Sequence, residues 1–196
     1  GLGGRQFASS AAPAAIALAI GVVFWEAAAR LWDQPFFPPF SAVVERLGEL
    51  TAEGKILTSL VGSLTNLVIG FTISAVVGVG LGMLMGAYRK VEMALDIYVY
   101  AMLTAPSLVF APIFFAIFGL SRASILGVII VYSMFIIIIN TVSAIRGVSP
   151  ALIEMGRSYC ATERQLFVKI ILPAALPMIF AGLRLGMGRA VKGTIN

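Results

Sequence analysis

Histidine is absent from this 196-residue chain, cysteine occurs once, and charge is scarce. A single thiol, Cys160, excludes a disulfide framework, and without histidine a Cys/His zinc site has no ligands. With no second thiol, Cys160 reads as a small residue at a bend rather than a redox or metal residue. Charged residues make up 12% of the chain and hydrophobic ones 60%, with mean hydropathy +1.00. A soluble domain carries roughly 25% charge, so this is a membrane composition. The net charge of +5 is spread along the chain, which excludes a nucleic-acid surface and leaves the basic residues as topology signals. No G-x-x-x-x-G-K-[ST] occurs, so the chain has no P-loop for ATP.

What remains is a series of long apolar runs. Crossing the bilayer core takes roughly 20 apolar residues in a helix. Spans are expected at 10–32, within 56–88, within 94–120 and at 123–145, with a fifth beginning near Leu172. The fifth must either continue past Arg184 or stop short. The chain begins at Gly1 and ends at Asn196 inside an apolar segment, so the C-terminal end is expected to be incomplete, while the sequence leaves open whether Gly1 is a native start. Glu26 and Arg30 stand four apart, in the favourable order for a helical ion pair. The connector at 33–55 holds the turn-rich QPFFPPF, followed by an amphipathic helix expected to take Ser41 as its N-cap.

With the N-terminus in the cytoplasm, Arg5, Arg89, Lys90, Arg146, Arg157, Arg164 and Lys169 fall inside, against Arg46, Lys55 and Arg122 outside. The positive-inside rule favours that orientation. It places residues 146–169 in the cytoplasm.

Two features mark the spans. Gly70, Ser74, Gly78, Gly82 and Gly86 recur every four residues, so they share one side of a helix and form a helix-packing face. Gly182, Gly186 and Ala190 repeat the spacing. Pro106 and Pro112 each remove a backbone donor from the third span and are expected to kink or open it. Freed carbonyls at membrane depth fit where they line a wet cavity. This makes Pro106, Ser107, Pro112 and Asn140 candidate pathway residues. Asn66, Thr104, Tyr132 and Ser133 are further polar groups within spans, read as hydrogen-bonding neighbouring helices.

The stretch 146–172 interrupts the apolar chain. Ser149 is a good N-cap, Pro150 fits the first helical position, and the helix is expected to run to about Tyr159. Thr162 to Gln165 matches a T-x-x-Q capping box, which starts a second short helix after a bend near Cys160. The pair presents Leu152, Met155, Tyr159, Leu166 and Phe167 among charges. Such a surface suits docking into a groove on a soluble partner, or lying on lipid.

Here the chain resembles a known family. Glu154-Met155-Gly156-Arg157-Ser158-Tyr159-Cys160, nine residues, then Ile170-Ile171-Leu172-Pro173 is similar to the EAA motif of ABC importer permeases, E-A-A-x-x-x-G, nine residues, I-x-L-P. Met155 and Gly156 replace the alanines, and Cys160 replaces the glycine. If the bend needs positive φ, Cys160 is strained there. Residues 105–119 resemble the P-x-x-A-x-x-P-L-x-x-x-W-F-G stretch of the nitrate/sulfonate/taurine branch. Residues 182–190 resemble its G-L-R-x-x-x-G-R-A, and Phe71, Gly78, Leu81, Gly82 and Gly86 fit its glycine-rich span.

The resemblance implies an all-α polytopic membrane bundle of the ABC importer permease, MetI-like type, with about five spans present and the last missing. It implies one permease domain over 1–196 with a coupling segment at 146–172. That segment would meet ABC ATPase subunits through Glu154, Met155, Gly156, Arg157, Tyr159, Cys160, Glu163, Arg164, Ile170, Leu172 and Pro173. The other implied partners are a second permease subunit as a homodimer, an extracytoplasmic solute-binding protein, and the inner-membrane bilayer. The chain itself would bind no cofactor and catalyse nothing, and ATP and Mg would sit on the partner ATPase. The implied solute is small and anionic or polar, such as a sulfonate, nitrate or a taurine-like compound. An ion-coupled secondary carrier and a non-transporting membrane scaffold are the alternatives. Carriers commonly place acids or histidines within spans. The second and fourth spans have neither, and Asp96 lies near the inner end of the third.

Overall fold

The computed structural model describes residues 3–32, 34, 36–105 and 109–195. In order, the helices are α1 (Gly3–Trp32), α2 (Phe40–Ala52), α3 (Lys55–Ala87), α4 (Arg89–Thr104), α5 (Phe110–Phe118), α6 (Arg122–Arg146), α7 (Pro150–Ser158) and α8 (Glu163–Leu166). A π-helical stretch, Phe167–Ile171, leads into α9 (Leu172–Ile195). Among the described residues there is no strand. Residues 1–61 and 62–196 form two compact units, and α3 contributes residues to both.

In the first unit the connector is tied back onto α1. Trp25 donates its indole N–H to the Pro38 carbonyl at 3.1 Å. Its ring stacks on Phe37 at 6.3 Å and meets Phe40 edge-on at 5.6 Å. Glu26 pairs with Arg30 at 2.6 Å. Ser41 is not the N-cap of α2, because Pro39 holds that position. The Ser41 amide and hydroxyl instead donate to the Glu26 carboxylate, at 3.0 and 2.8 Å. A carboxylate on α1 thus satisfies a first-turn N–H that α2 leaves open.

In the second unit α6 is the central helix. Ile129, Ile137, Ile138 and Thr141 are almost wholly buried on it. One of its faces meets α3 through the small residues. A Cβ on Gly70, Gly78, Gly82 or Gly86 would lie within about 3 Å of Ile129, Ile137, Thr141 or Ile145 respectively. Between them, Ser133 donates to Ser74 at 2.8 Å. Each step of four along α3 is matched by a step of four along α6 in the same direction, so the two helices run parallel. The opposite side of α6 meets α9. Gly182 lies against Asn140, Gly186 against Ile137 and Gly193 against Ile129, so α9 runs antiparallel. Ile129 and Ile137 are each clasped between two glycines, which lets three backbones approach closely.

Four helical segments are long and apolar enough to cross a membrane: Pro13–Trp32, Lys55–Ala87, Arg122–Arg146 and Glu163–Thr194. The expected third span is two helices, α4 and α5, neither long enough alone. Because α3 and α6 are parallel, the chain between them must return across the same thickness. The broken α4–α5 pair is therefore a fifth crossing. Its break falls after Ala105, and Pro106 and Ser107 lie outside the described residues. Pro112 does not kink a helix. It sits in the first turn of α5, where a missing N–H costs nothing. The expected fifth span continues past Arg184 to Ile195.

Polar contacts hold α3 and α6 near both ends. Arg122 donates to Asn66 at 2.7 Å. At the other end Arg146 donates to the Met85 carbonyl of α3 at 3.5 Å and pairs with Glu92 of α4 at 2.5 Å, where Arg89 joins the same carboxylate at 2.9 Å. This draws the start of α4 into the junction.

Candidate functional site

The segment between α6 and α9 is a compact hairpin, built from its caps. Pro150 opens α7, where its fixed φ suits the first helical position. Ser149 precedes it with no side-chain capping bond. At the far end, Cys160 donates its N–H to Arg157 O at 2.9 Å and Ala161 to Gly156 O at 3.2 Å. These two bonds, with Cys160 at φ 54°, complete a Schellman motif. Cys160 is the only non-glycine at positive φ among the described residues. The bend does take the left-handed conformation that glycine supplies most readily, and a side chain with a Cβ is held there.

Thr162 then caps α8. Its hydroxyl accepts from Gln165 N at 3.3 Å, and the Gln165 side chain accepts from Thr162 N at 3.0 Å. The two reciprocal bonds form the capping box. Across the bend, Gly156 lies directly against Ile170 and within 2.6 Å of Leu166 when a Cβ is added. Only a residue without a side chain lets α7 sit this close. Arg157 and Glu163 pair at 3.3 Å, both exposed, which contributes little to stability.

The second helix is not a separate element. It runs from α8 through the π-helical stretch into α9 without a stop. Leu172 donates to Phe167 O, the i→i−5 pattern of a π-helix. Pro173 lacks an N–H, and its ring would crowd the Lys169 carbonyl in a regular α-helix. The widened turn just before it relieves that crowding. Leu172 packs with Phe167 and Ile153 on the buried cluster of Ala144, Ile145, Val148, Ala175 and Ile179. The hairpin is thereby anchored to the end of α6.

The outer face of the hairpin is open. Glu154, Met155, Tyr159 and Arg164 are exposed, Tyr159 to 82%. Among the described residues, the Glu154 and Arg164 side chains make no hydrogen bond or ion pair.

The polar residues within the spans separate into three groups. Asn66 and Ser133 bond to neighbouring helices. Thr104 and Asn140 bond to carbonyls of their own helices, and Asn140 also packs under Gly182. Tyr132 differs: its hydroxyl is buried and has no hydrogen-bond partner among the described residues. It faces a cavity of about 330 Å³ lined also by Met102, Phe110, Phe135, Arg189 and Lys192. The sequence placed these residues on three separate helices, and no spacing rule links them. Arg189 and Lys192, on an apolar span, were the only signal. No group of three or more acidic, histidine or cysteine side chains that would hold a metal occurs among the described residues.

A family profile described as "binding-protein-dependent transport system inner membrane component" matches residues 78–195. The chain is similar to an ABC transporter permease protein of Methanocaldococcus jannaschii, 31% identical over 88% of this chain and 66% of the relative. It is 34% identical to the formylaminopyrimidine transport permease protein of Halalkalibacterium halodurans, over 88% of this chain and 69% of the relative. It is also 34% identical to an aliphatic sulfonates transport permease protein of Bacillus subtilis, over 78% of this chain and 55% of the relative. The chain thus spans between about half and about two thirds of the length of these curated relatives.

Proposed function

Because the chain belongs to the family of inner-membrane components of binding-protein-dependent transport systems, we propose that it is the permease subunit of an ABC importer for a small anionic solute, driven by ATPase subunits that grip residues 150–166. The observation that carries this reading is the hairpin. A complete Schellman bend, a complete capping box and an exposed face on which Glu154 and Arg164 are unpaired among the described residues fall within the segment whose residues resemble the EAA pattern.

The packing supports a mechanical route. ATP and Mg bind on the partner, whose closure moves the hairpin. Gly156 wedged on Leu166 and Ile170 keeps α7 and α8 together as they move. The helix continues unbroken into α9, and α9 is locked to α6 through Gly182, Gly186 and Gly193. Displacement of the hairpin therefore reaches the centre of the bundle as a rigid-body shift. Glu154, Met155, Arg157, Tyr159, Glu163 and Arg164 are the contacts with the ATPase. Cys160, Ile170, Leu172 and Pro173 shape the hairpin and its junction. Two permease copies pair in the bilayer, the N-terminus and hairpin face the cytoplasm, and a solute-binding protein delivers from the other side. Sulfonate chemistry is supported by the sulfonate permease among the relatives and by the cationic side chains that line the cavity beside Tyr132.

The test is reconstitution of the full-length permease with its ATPase and binding protein in proteoliposomes. Solute uptake should require ATP, and Glu154→Lys should release or uncouple the ATPase while membrane insertion is unchanged. Uptake that persists without ATP and collapses with the proton gradient would identify an ion-coupled carrier instead.

A further inference from the structure

The cavity beside the break between α4 and α5 has a composition that helix packing does not explain. Tyr132 is only 7% exposed, yet its hydroxyl has no partner among the described residues. A buried hydroxyl left unpaired is costly, and such exceptions call for an occupant. Arg189 and Lys192 project to the same 330 Å³ space from α9. Among the described residues that line it, none carries a carboxylate. Met102, Phe110 and Phe135 form apolar walls that lower the local dielectric and strengthen any charge interaction there.

The position matters as much as the chemistry. Tyr132 lies ten residues from Arg122, roughly 15 Å along α6 at 1.5 Å per residue, about half the bilayer core of roughly 30 Å. A cationic side chain such as Arg189 at such depth is expensive unless it faces a wet pathway or a partner. The volume lies at the lower end of the range for small-molecule sites, roughly 300–1,000 Å³.

We propose that Tyr132, Arg189 and Lys192 form an intramembrane binding site for a small oxyanion. The planar guanidinium of Arg189 offers paired donors that match two oxygens of such an anion. Lys192 brings a second positive charge to the lining, and the Tyr132 hydroxyl, which has no partner among the described residues, supplies a further donor. The site names the solute class of the importer read above and rests on that reading for its place in transport.

Two measurements on the complete complex of permease, ATPase and binding protein test it. In the first, crystals are soaked in sodium bromide and examined at the bromine absorption edge. An anomalous peak is expected in the cavity of the wild type, and it should vanish in Arg189→Gln. An empty cavity, or a peak unchanged in Arg189→Gln, overturns the proposal. This arm needs no transport, so it judges the cavity whether or not the importer reading survives. In the second, ATP-driven uptake of [14C]methanesulfonate is compared in wild type, Tyr132→Phe and Arg189→Gln. Tyr132→Phe removes only a hydroxyl that has no hydrogen-bond partner among the described residues, so misfolding does not confuse the result. Loss of a hydrogen bond to a charged group should lower uptake about tenfold. Arg189→Lys should retain more uptake than Arg189→Gln. Uptake unchanged in both Tyr132→Phe and Arg189→Gln overturns the site. Absence of ATP-driven uptake in the wild type would instead overturn the importer reading.

Discussion

Replacing Gly82 with alanine adds one methyl group at the tightest point of the α3–α6 contact. The new Cβ would lie 2.5 Å from Thr141 Cβ and 2.9 Å from the Ile138 carbonyl oxygen. Neither is the free end of a flexible side chain, so the helices must separate. Gly80 is two residues away on the same helix, and a Cβ there meets nothing within 4 Å. Both substitutions gain the same helix propensity, about 1 kcal/mol in favour of alanine. That term cancels in the comparison and leaves the clash. Overpacking of this kind costs typically about 1–3 kcal/mol. Gly80→Ala should therefore leave the protein as stable as wild type or slightly more so, and Gly82→Ala should fall below Gly80→Ala by about 1–3 kcal/mol. At about 2–4 °C per kcal/mol for a chain of this size, the two Tm values should differ by several degrees in detergent. Equal Tm values would refute the parallel α3–α6 packing, and with it the inference that α4–α5 crosses the membrane.

The hairpin yields further predictions. Cys160→Gly should raise thermal stability by roughly 0.5–1 kcal/mol, because relief of about 1–2 kcal/mol at φ 54° exceeds the backbone entropy glycine adds. Cys160→Val should lower it, and the opposite order of Tm values would contradict the bend. Thr162→Ala should cost about 0.5–2 kcal/mol, since its hydroxyl accepts the capping bond from Gln165 N. Ser149→Ala should cost much less, because the Ser149 side chain makes no capping bond. Hydrogen exchange of the 160–166 amides should show the difference, with faster exchange in Thr162→Ala only. Ser133→Ala removes the buried hydroxyl that donates to Ser74, and should cost about 0.6 kcal/mol, a typical value for interhelical bonds in membranes. A loss of several kcal/mol would show that the Ser74–Ser133 pair holds the helices more strongly than packing does.

The all-α membrane architecture was legible because it follows from apolar run length, and residues 122–146 show it most clearly. Periodicity carried further detail. A four-residue spacing puts Gly70 to Gly86 on one face, but it cannot say which helix that face meets or in which direction. That answer depends on tertiary register and came only from the contacts with Ile129 to Ile145. Caps were legible where the signal is local and reciprocal, as at Thr162 and Gln165. They were not where a distant group competes: Ser41 satisfies Glu26 rather than capping α2. Proline was read by its chemistry but not by its position. Pro112 starts a helix instead of kinking one, and Pro173 is accommodated by a π-helical turn. The cavity at Tyr132 was illegible because its side chains come from separate helices brought together only by the fold.

What the exposed hairpin face touches decides whether the permease is driven through residues 150–166. A photoreactive phenylalanine analogue at position 159, where the native Tyr159 is 82% exposed, reports this directly in membranes containing the permease with its ATPase and binding protein. A covalent adduct between permease and ATPase subunit is expected, lost in Glu154→Lys. Labelling of lipid with no ATPase adduct would contradict that expectation, and would make the hairpin an interfacial element on the bilayer.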